Sequence, residues 1–189
     1  MLRWLRVLTA LLWIIPLACA SRDSEAQARS DREIVVHVLR TIEADRHCTS
    51  CLVEQTTQAY ELWVSAPAEE SHRSGLAADL ISSYAVRNER AGQLPSSAIV
   101  PPLRAIGAAD VGHYFENGPS EGWERLRQTY GDRVGLIRMS LPGYSRTADL
   151  ALITYSYDEG PLAGETNFML LKRVRGGWAI LQSGHLLMS

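Results

Sequence analysis

The chain is short of the features that name a chemistry. Net charge is only −2 over 189 residues, which argues against a nucleic-acid surface, because such domains are usually clearly basic. There are three cysteines, too few for a disulfide framework. Neither Ser140 nor Ser145 sits in a Gly-x-Ser-x-Gly elbow, so neither carries the α/β-hydrolase signature. No low-complexity run and no internal repeat interrupts the chain. No apolar stretch reaches the roughly 20 residues a permanent membrane helix needs. Composition excludes little else: 46% apolar and 21% charged residues are ordinary for a soluble globular domain with a real core. No cofactor or metal-binding motif is present, and no reaction can be read from the sequence.

The amino terminus carries an address. Arg3 and Arg6 precede an apolar run over residues 7–17, broken only by Thr9 and Pro16. Ala18-Cys19-Ala20 has the small–x–small form of a signal-peptidase site, and charged residues follow from Arg22. The expectation is a signal peptide over residues 1–20 and an exported mature chain. Cys19 supports a second reading. A cysteine directly after the apolar run is the lipidation site of bacterial lipoproteins, although Pro16 stands where such signals carry leucine. Cleavage after Ala20 is the better fit, and membrane contact is expected only through the signal peptide or a lipid on Cys19. Residues 21–29 show no apolar period and read as a flexible tether, leaving residues 30–189 as a single domain.

Cys48 and Cys51 lie three apart. In an exported chain such a pair most simply forms a disulfide. A thioredoxin-like redox role needs the first cysteine at a helix start, whereas residues 52–58 read as a strand. Haem attachment needs a histidine where Leu52 stands, and zinc needs ligands that are not nearby. A disulfide closing so short a loop stabilises little through chain entropy.

Periodicity supplies the elements. Ser30-Asp31-Arg32-Glu33 has the form of a capping box, followed by Ile34, Val35, Val38, Leu39 and Ile42 at helical spacing. A second helix is expected from Ser74 to about Gly92, with Leu80, Ile81 and Tyr84 on one face. Pro101-Pro102 limits any nearby strand to an edge. A short helix is expected over residues 109–117, and another from Pro119 with Trp123, Leu126 and Tyr130 on one face. Four strands follow, near residues 134–141, 148–157, 166–174 and 178–187. The second of them is apolar on both faces and so is expected inside the sheet. Short connections favour an antiparallel meander. The expected fold is α+β: amino-terminal helices packed on a carboxy-terminal antiparallel meander of about four strands.

The run from Trp123 to Trp178 resembles an uncharacterised domain of exported bacterial proteins. The resemblance rests on the tryptophan and aromatic of one helix (Trp123, Tyr130), the strand Gly135-Leu136-Ile137-Arg138-Met139-Ser140, and the turn Gly143-Tyr144. It continues with Ala151-Leu152-Ile153, the glycine-rich loop Gly160-Pro161-Leu162-Ala163-Gly164-Glu165, and the closing Gly177-Trp178. It departs from that pattern at Leu141, Ala163 and Glu165. The resemblance implies an exported α+β domain and no assigned activity.

Candidate site residues lie in the strand loops. Asp158, Glu159 and Glu165 could bind a cation or serve as acid and base, though a solvated acidic turn is the commoner explanation for such residues. Ser140 or Ser145 with His185 and an acid could form a triad only if the fold gathers them. His37 reads as a helix-flank histidine, His72 beside acids could be a general base or part of a solvated loop, and His113 lies in the expected short helix. The functional expectation is an exported envelope protein that acts as a binding or structural module, its partner an envelope component or a small ligand held between helices and sheet. The alternative is a hydrolase-like enzyme using a loop carboxylate or histidine.

Overall fold

A computed structural model describes residues 14–47, 50–58 and 78–188, with side chains placed from residue 24 to residue 186 within those ranges. The elements in chain order are α1 (Ile14–Arg46), β1 (Ser50–Glu54), α2 (Ala78–Arg87), β2 (Arg104–Ile106), α3 (Ala108–Phe115) and α4 (Pro119–Tyr130). They are followed by β3 (Val134–Met139), β4 (Gly143–Tyr144), β5 (Leu150–Gly160), β6 (Ala163–Val174) and β7 (Gly177–Met188).

The strands form one mixed seven-stranded sheet in the order β2-β1-β3-β5-β6-β7, with the two-residue β4 also paired to β5. β1 runs parallel to both β2 and β3, while the β3–β5, β5–β6 and β6–β7 pairs are antiparallel. The fold is therefore α+β as expected, but the sheet is larger than a four-stranded meander. The β5–β6–β7 part is such a meander. The difference lies in β1 and β2, which join its far side through long crossovers. Parallel neighbours cannot be joined by a tight turn, so the links between β1, β2 and β3 carry α2, α3 and α4.

Alternation along the strands sends apolar side chains to both faces, and each face has its own helices. Ile34, Val35, Val38, Leu39 and Ile42 of α1 pack with Val53, Ile137, Met139, Ile153, Met169 and Leu171. On the opposite face, Leu52, Leu136 and Val134 lie beneath Val111, Trp123 and Leu126 of α3 and α4. Farther along that face, Leu152, Phe168 and Leu170 meet Leu80 and Tyr84 of α2. A sheet covered on both sides needs strands without a polar face, which is why Ala151, Leu152 and Ile153 are all fully buried.

Two local expectations are corrected. α1 does not begin at a capping box on Ser30, and residues 21–29 are not a tether: the helix runs unbroken through both. Ser30 and Asp31 are mid-helix and buried, because their side chains serve partners on other elements rather than the helix end. The approach of α2 to β4 depends on Gly143. A Cβ there would lie 2.4 Å from Tyr84 Cα and 2.5 Å from its backbone nitrogen. His72 and Ser74, the expected start of the second helix, lie outside the described residues, as does Cys48.

Candidate functional site

The carboxylates and histidine expected to share a loop site are divided by the sheet. Asp158 pairs across the ladder with Gly164, and Tyr157 pairs with Glu165. Because neighbouring residues of a strand point to opposite faces, Asp158 and Glu165 stand on different sides. Asp158 accepts from Arg138 Nη1 at 2.7 Å, and Arg138 Nε donates to Glu54 at 3.0 Å. This trio ties β1, β3 and β5 together on the face of α2 and α4. Burial pushes the Asp158 carboxyl up, more than Arg138 and Ser156 pull it down. Glu165 is ion-paired with Arg46 at the end of α1 and accepts from Asn167 Nδ2 at 2.9 Å, while His185 Nδ1 stands 3.8 Å from it. Arg46 also lies over the Tyr157 ring, 5.2 Å from its centre. Glu159 is exposed at the hairpin end.

No triad forms around either serine. Ser140 is fully buried, and its Oγ accepts from the Thr154 amide at 3.0 Å. Strands β5 and β6 stand between it and His185 on β7. Ser145 Oγ donates to Asp149 at 2.8 Å within its own turn. Among the described residues no group of three His, Cys, Asp or Glu side chains could hold a metal ion. Cys51 is buried. Cys48, its expected partner, lies outside the described residues.

A cleft that sequence reasoning missed lies where α1, α2, the β4 turn and the end of β6 converge. It encloses about 790 Å³. α1 contributes Gln27 and Ser30, α2 contributes Ser82, Ser83 and Arg87, the turn contributes Tyr144, Ser145 and Arg146, and β6 contributes Arg173. Its wall is built on Asp31. That carboxylate accepts two hydrogen bonds from Arg87, at 3.0 and 2.7 Å, and a third from the Tyr144 hydroxyl at 2.6 Å. Arg87 also donates to the Pro142 carbonyl. Burial, then the hydrogen bond to Asp31 and the charge of that carboxylate, pushes the Tyr144 phenol far above its ordinary range. Tyr144 is thus a fixed donor. Its backbone amide donates to Ser83 Oγ at 3.0 Å, which locks the turn to α2.

Arg173 differs from Arg87 in its partners. Its Nη2 donates to Ser30 Oγ at 2.6 Å and its Nε to the Ala148 carbonyl at 3.2 Å. Its guanidinium lies 4.5 Å from the centre of the Trp178 ring. Both acceptors are neutral, so among the described residues no carboxylate neutralises Arg173. Arg146 projects from the turn at the rim, and its amide donates to Asp79 at 2.7 Å. That bond holds the Asp79 carboxyl below its usual range. The cleft therefore brings together three guanidiniums, several hydroxyls and one rim carboxylate. One signal for it was present in the sequence. Asp31 falls on the apolar stripe of α1, four residues before Val35, where a solvent-facing acid does not belong.

No family model, curated protein or solved structure matches this chain, so the resemblance of its carboxy-terminal half to an exported bacterial domain stands on the quoted motifs alone.

Proposed function

We propose that this protein is an exported envelope module that binds a small anion in the cleft between α1, α2 and the β4 turn. The observation that carries the reading is Arg173: a cation fixed by a ring and by two neutral acceptors, opening on a cleft lined with hydroxyls. A planar guanidinium whose charge is not yet matched favours carboxylate or phosphate ligands. Arg87, already matched by Asp31, holds the wall in place. Export is supported by Arg3, Arg6, the apolar run that follows and Ala18-Cys19-Ala20. Ser140 is buried and the sheet separates Asp158 from Glu165, which favours anion binding over a hydrolase built on those groups.

Calorimetric titration with inorganic phosphate and with a dicarboxylate such as succinate tests the proposal. Binding is expected for at least one of them, and Arg173→Gln should weaken it roughly tenfold to hundredfold, the span of one charge-assisted hydrogen bond. Unchanged affinity in Arg173→Gln, or no binding of either anion at millimolar concentration, would sink the reading.

A further inference from the structure

The two edges of the sheet are treated differently. The β2 edge is three residues long, follows Pro101-Pro102 and carries Arg104. Short length, proline and charge are the usual protections of a strand edge. The β7 edge has none of them. It is twelve residues long, from Gly177 to Met188, and contains no proline, Asp, Glu, Lys or Arg. Its inner side is laddered to β6 from Val174↔Gly177 to Glu165↔Met188. Among the described residues no strand pairs with its outer side.

The middle of β7 is open on both faces as well. Residues 180–183 are all exposed, with Ile180 at 37% and Leu181 at 57%. A register shift between Leu170 and Leu171 leaves Leu181 without an opposite number on β6. β6 itself is almost wholly buried over residues 166–171. An apolar, uncharged outer strand beside a buried one is what a sheet shows where it continues into another chain.

We propose that β7 pairs antiparallel with β7 of a second copy, making one continuous sheet across a two-fold axis. The charge pattern selects a second copy as the occupant. Across a two-fold axis a residue on the axis meets its own image and the others meet in reciprocal pairs, so charges of one sign along the strand would be repelled. β7 carries no Asp, Glu, Lys or Arg to meet its image, and His185 is its one titratable group. The antiparallel arrangement also separates the basic residues at the β6–β7 turn, Lys172, Arg173 and Arg175, from their counterparts. A parallel arrangement would bring them together. The dimer leaves the anion cleft of each copy in place, so neither proposal depends on the other.

Sedimentation velocity of the purified exported chain over a concentration series is the direct test. A monomer–dimer equilibrium is expected. Leu181→Lys, which sets a lysine near its own image, should shift the midpoint to at least tenfold higher concentration while the far-ultraviolet dichroism stays native. Hydrogen exchange of the unmodified protein supplies a second readout if that variant folds poorly. Outward-facing β7 amides should become more protected as concentration rises. A monomer at every concentration overturns the proposal, and so does a dimer insensitive to Leu181→Lys in a native-like protein. β7 amides equally exposed in dilute and concentrated samples, or protected only when a foreign peptide is added, also overturn it.

Discussion

Asp158 shows how one side chain can be well partnered and still costly. Its carboxylate is held by Arg138, which it shares with Glu54. Burial nevertheless outweighs that attraction and raises its affinity for a proton above the ordinary value of 3.8. The sign of the consequence follows from proton linkage. Between the unfolded and folded values the native state binds more protons than the unfolded chain, so stability falls as pH rises through that window. Below the window the contribution is whole, and above it the loss is complete. Asp158→Asn has no such proton to lose and leaves Arg138 its bond to Glu54. The stability of the wild type relative to Asp158→Asn should therefore decline as pH rises across the carboxylate range, about pH 3 to 6. Urea denaturation of both proteins at several pH values measures it. A difference moving in the wild type's favour with rising pH would show that Arg138, not burial, dominates. Asp31 is satisfied by three hydrogen bonds from Arg87 and Tyr144, so its place is in the wall of a site.

Between elements, the tightest joint is α2 against β4. Tyr84 is fully buried, its hydroxyl 2.7 Å from Thr154 Oγ1, and its backbone sits over Gly143. Backbone atoms cannot swing aside as a flexible side chain can, so Gly143→Ala should cost about 1–3 kcal/mol, the range for overpacking a closed contact. Gly112, within α3 and with nothing inside 4 Å of an added Cβ, is the control. Gly112→Ala should gain about 0.5–1 kcal/mol from helix propensity. Urea midpoints of the two variants should move in opposite directions, and a Gly143→Ala protein as stable as the wild type would refute the close-packed joint. Elements of this kind were legible where a local period marks them. The Trp123, Leu126 and Tyr130 stripe gave α4, and alternation with the Gly176 turn gave β6 and β7. The pairing of β1 with β3 was not legible. Cys51 lies opposite Gly135, and nothing local to either residue encodes a partner so distant in sequence. The cleft was hidden for the same reason. Asp31, Arg87, Tyr144 and Arg173 come from four separate elements, and at Ser30-Asp31 a tertiary polar contact has the same residue types as a helix cap.

Across the whole molecule, the long helix α1 joins a buried part to an exposed one. At about 1.5 Å per residue its 33 residues extend roughly 50 Å. Among its described side chains burial begins at Ser30, and residues 24–29 are exposed. The core stripe from Ile34 to Ile42, and the Ser30 and Asp31 contacts to Arg173, Arg87 and Tyr144, all lie on the carboxy-terminal side of that boundary. Processing at either candidate position, Cys19 or Ala20, therefore keeps every core and cleft-wall residue named above in the mature chain. A truncated chain beginning at Ser21 should have the same thermal midpoint as one produced with its leader, because it retains the whole stripe from Ile34 to Ile42 and the Ser30 and Asp31 contacts. The two export readings then differ only in chemistry at the new terminus. Mass spectrometry of the protein recovered from the envelope is expected to find an unmodified chain beginning at Ser21. A diacylated or triacylated Cys19 would replace that expectation with a lipid anchor, placed eleven residues before Ser30 and so held clear of the folded domain. Recovery of the intact chain from Met1 would remove both, and with them the proposal that this cleft works outside the cytoplasm.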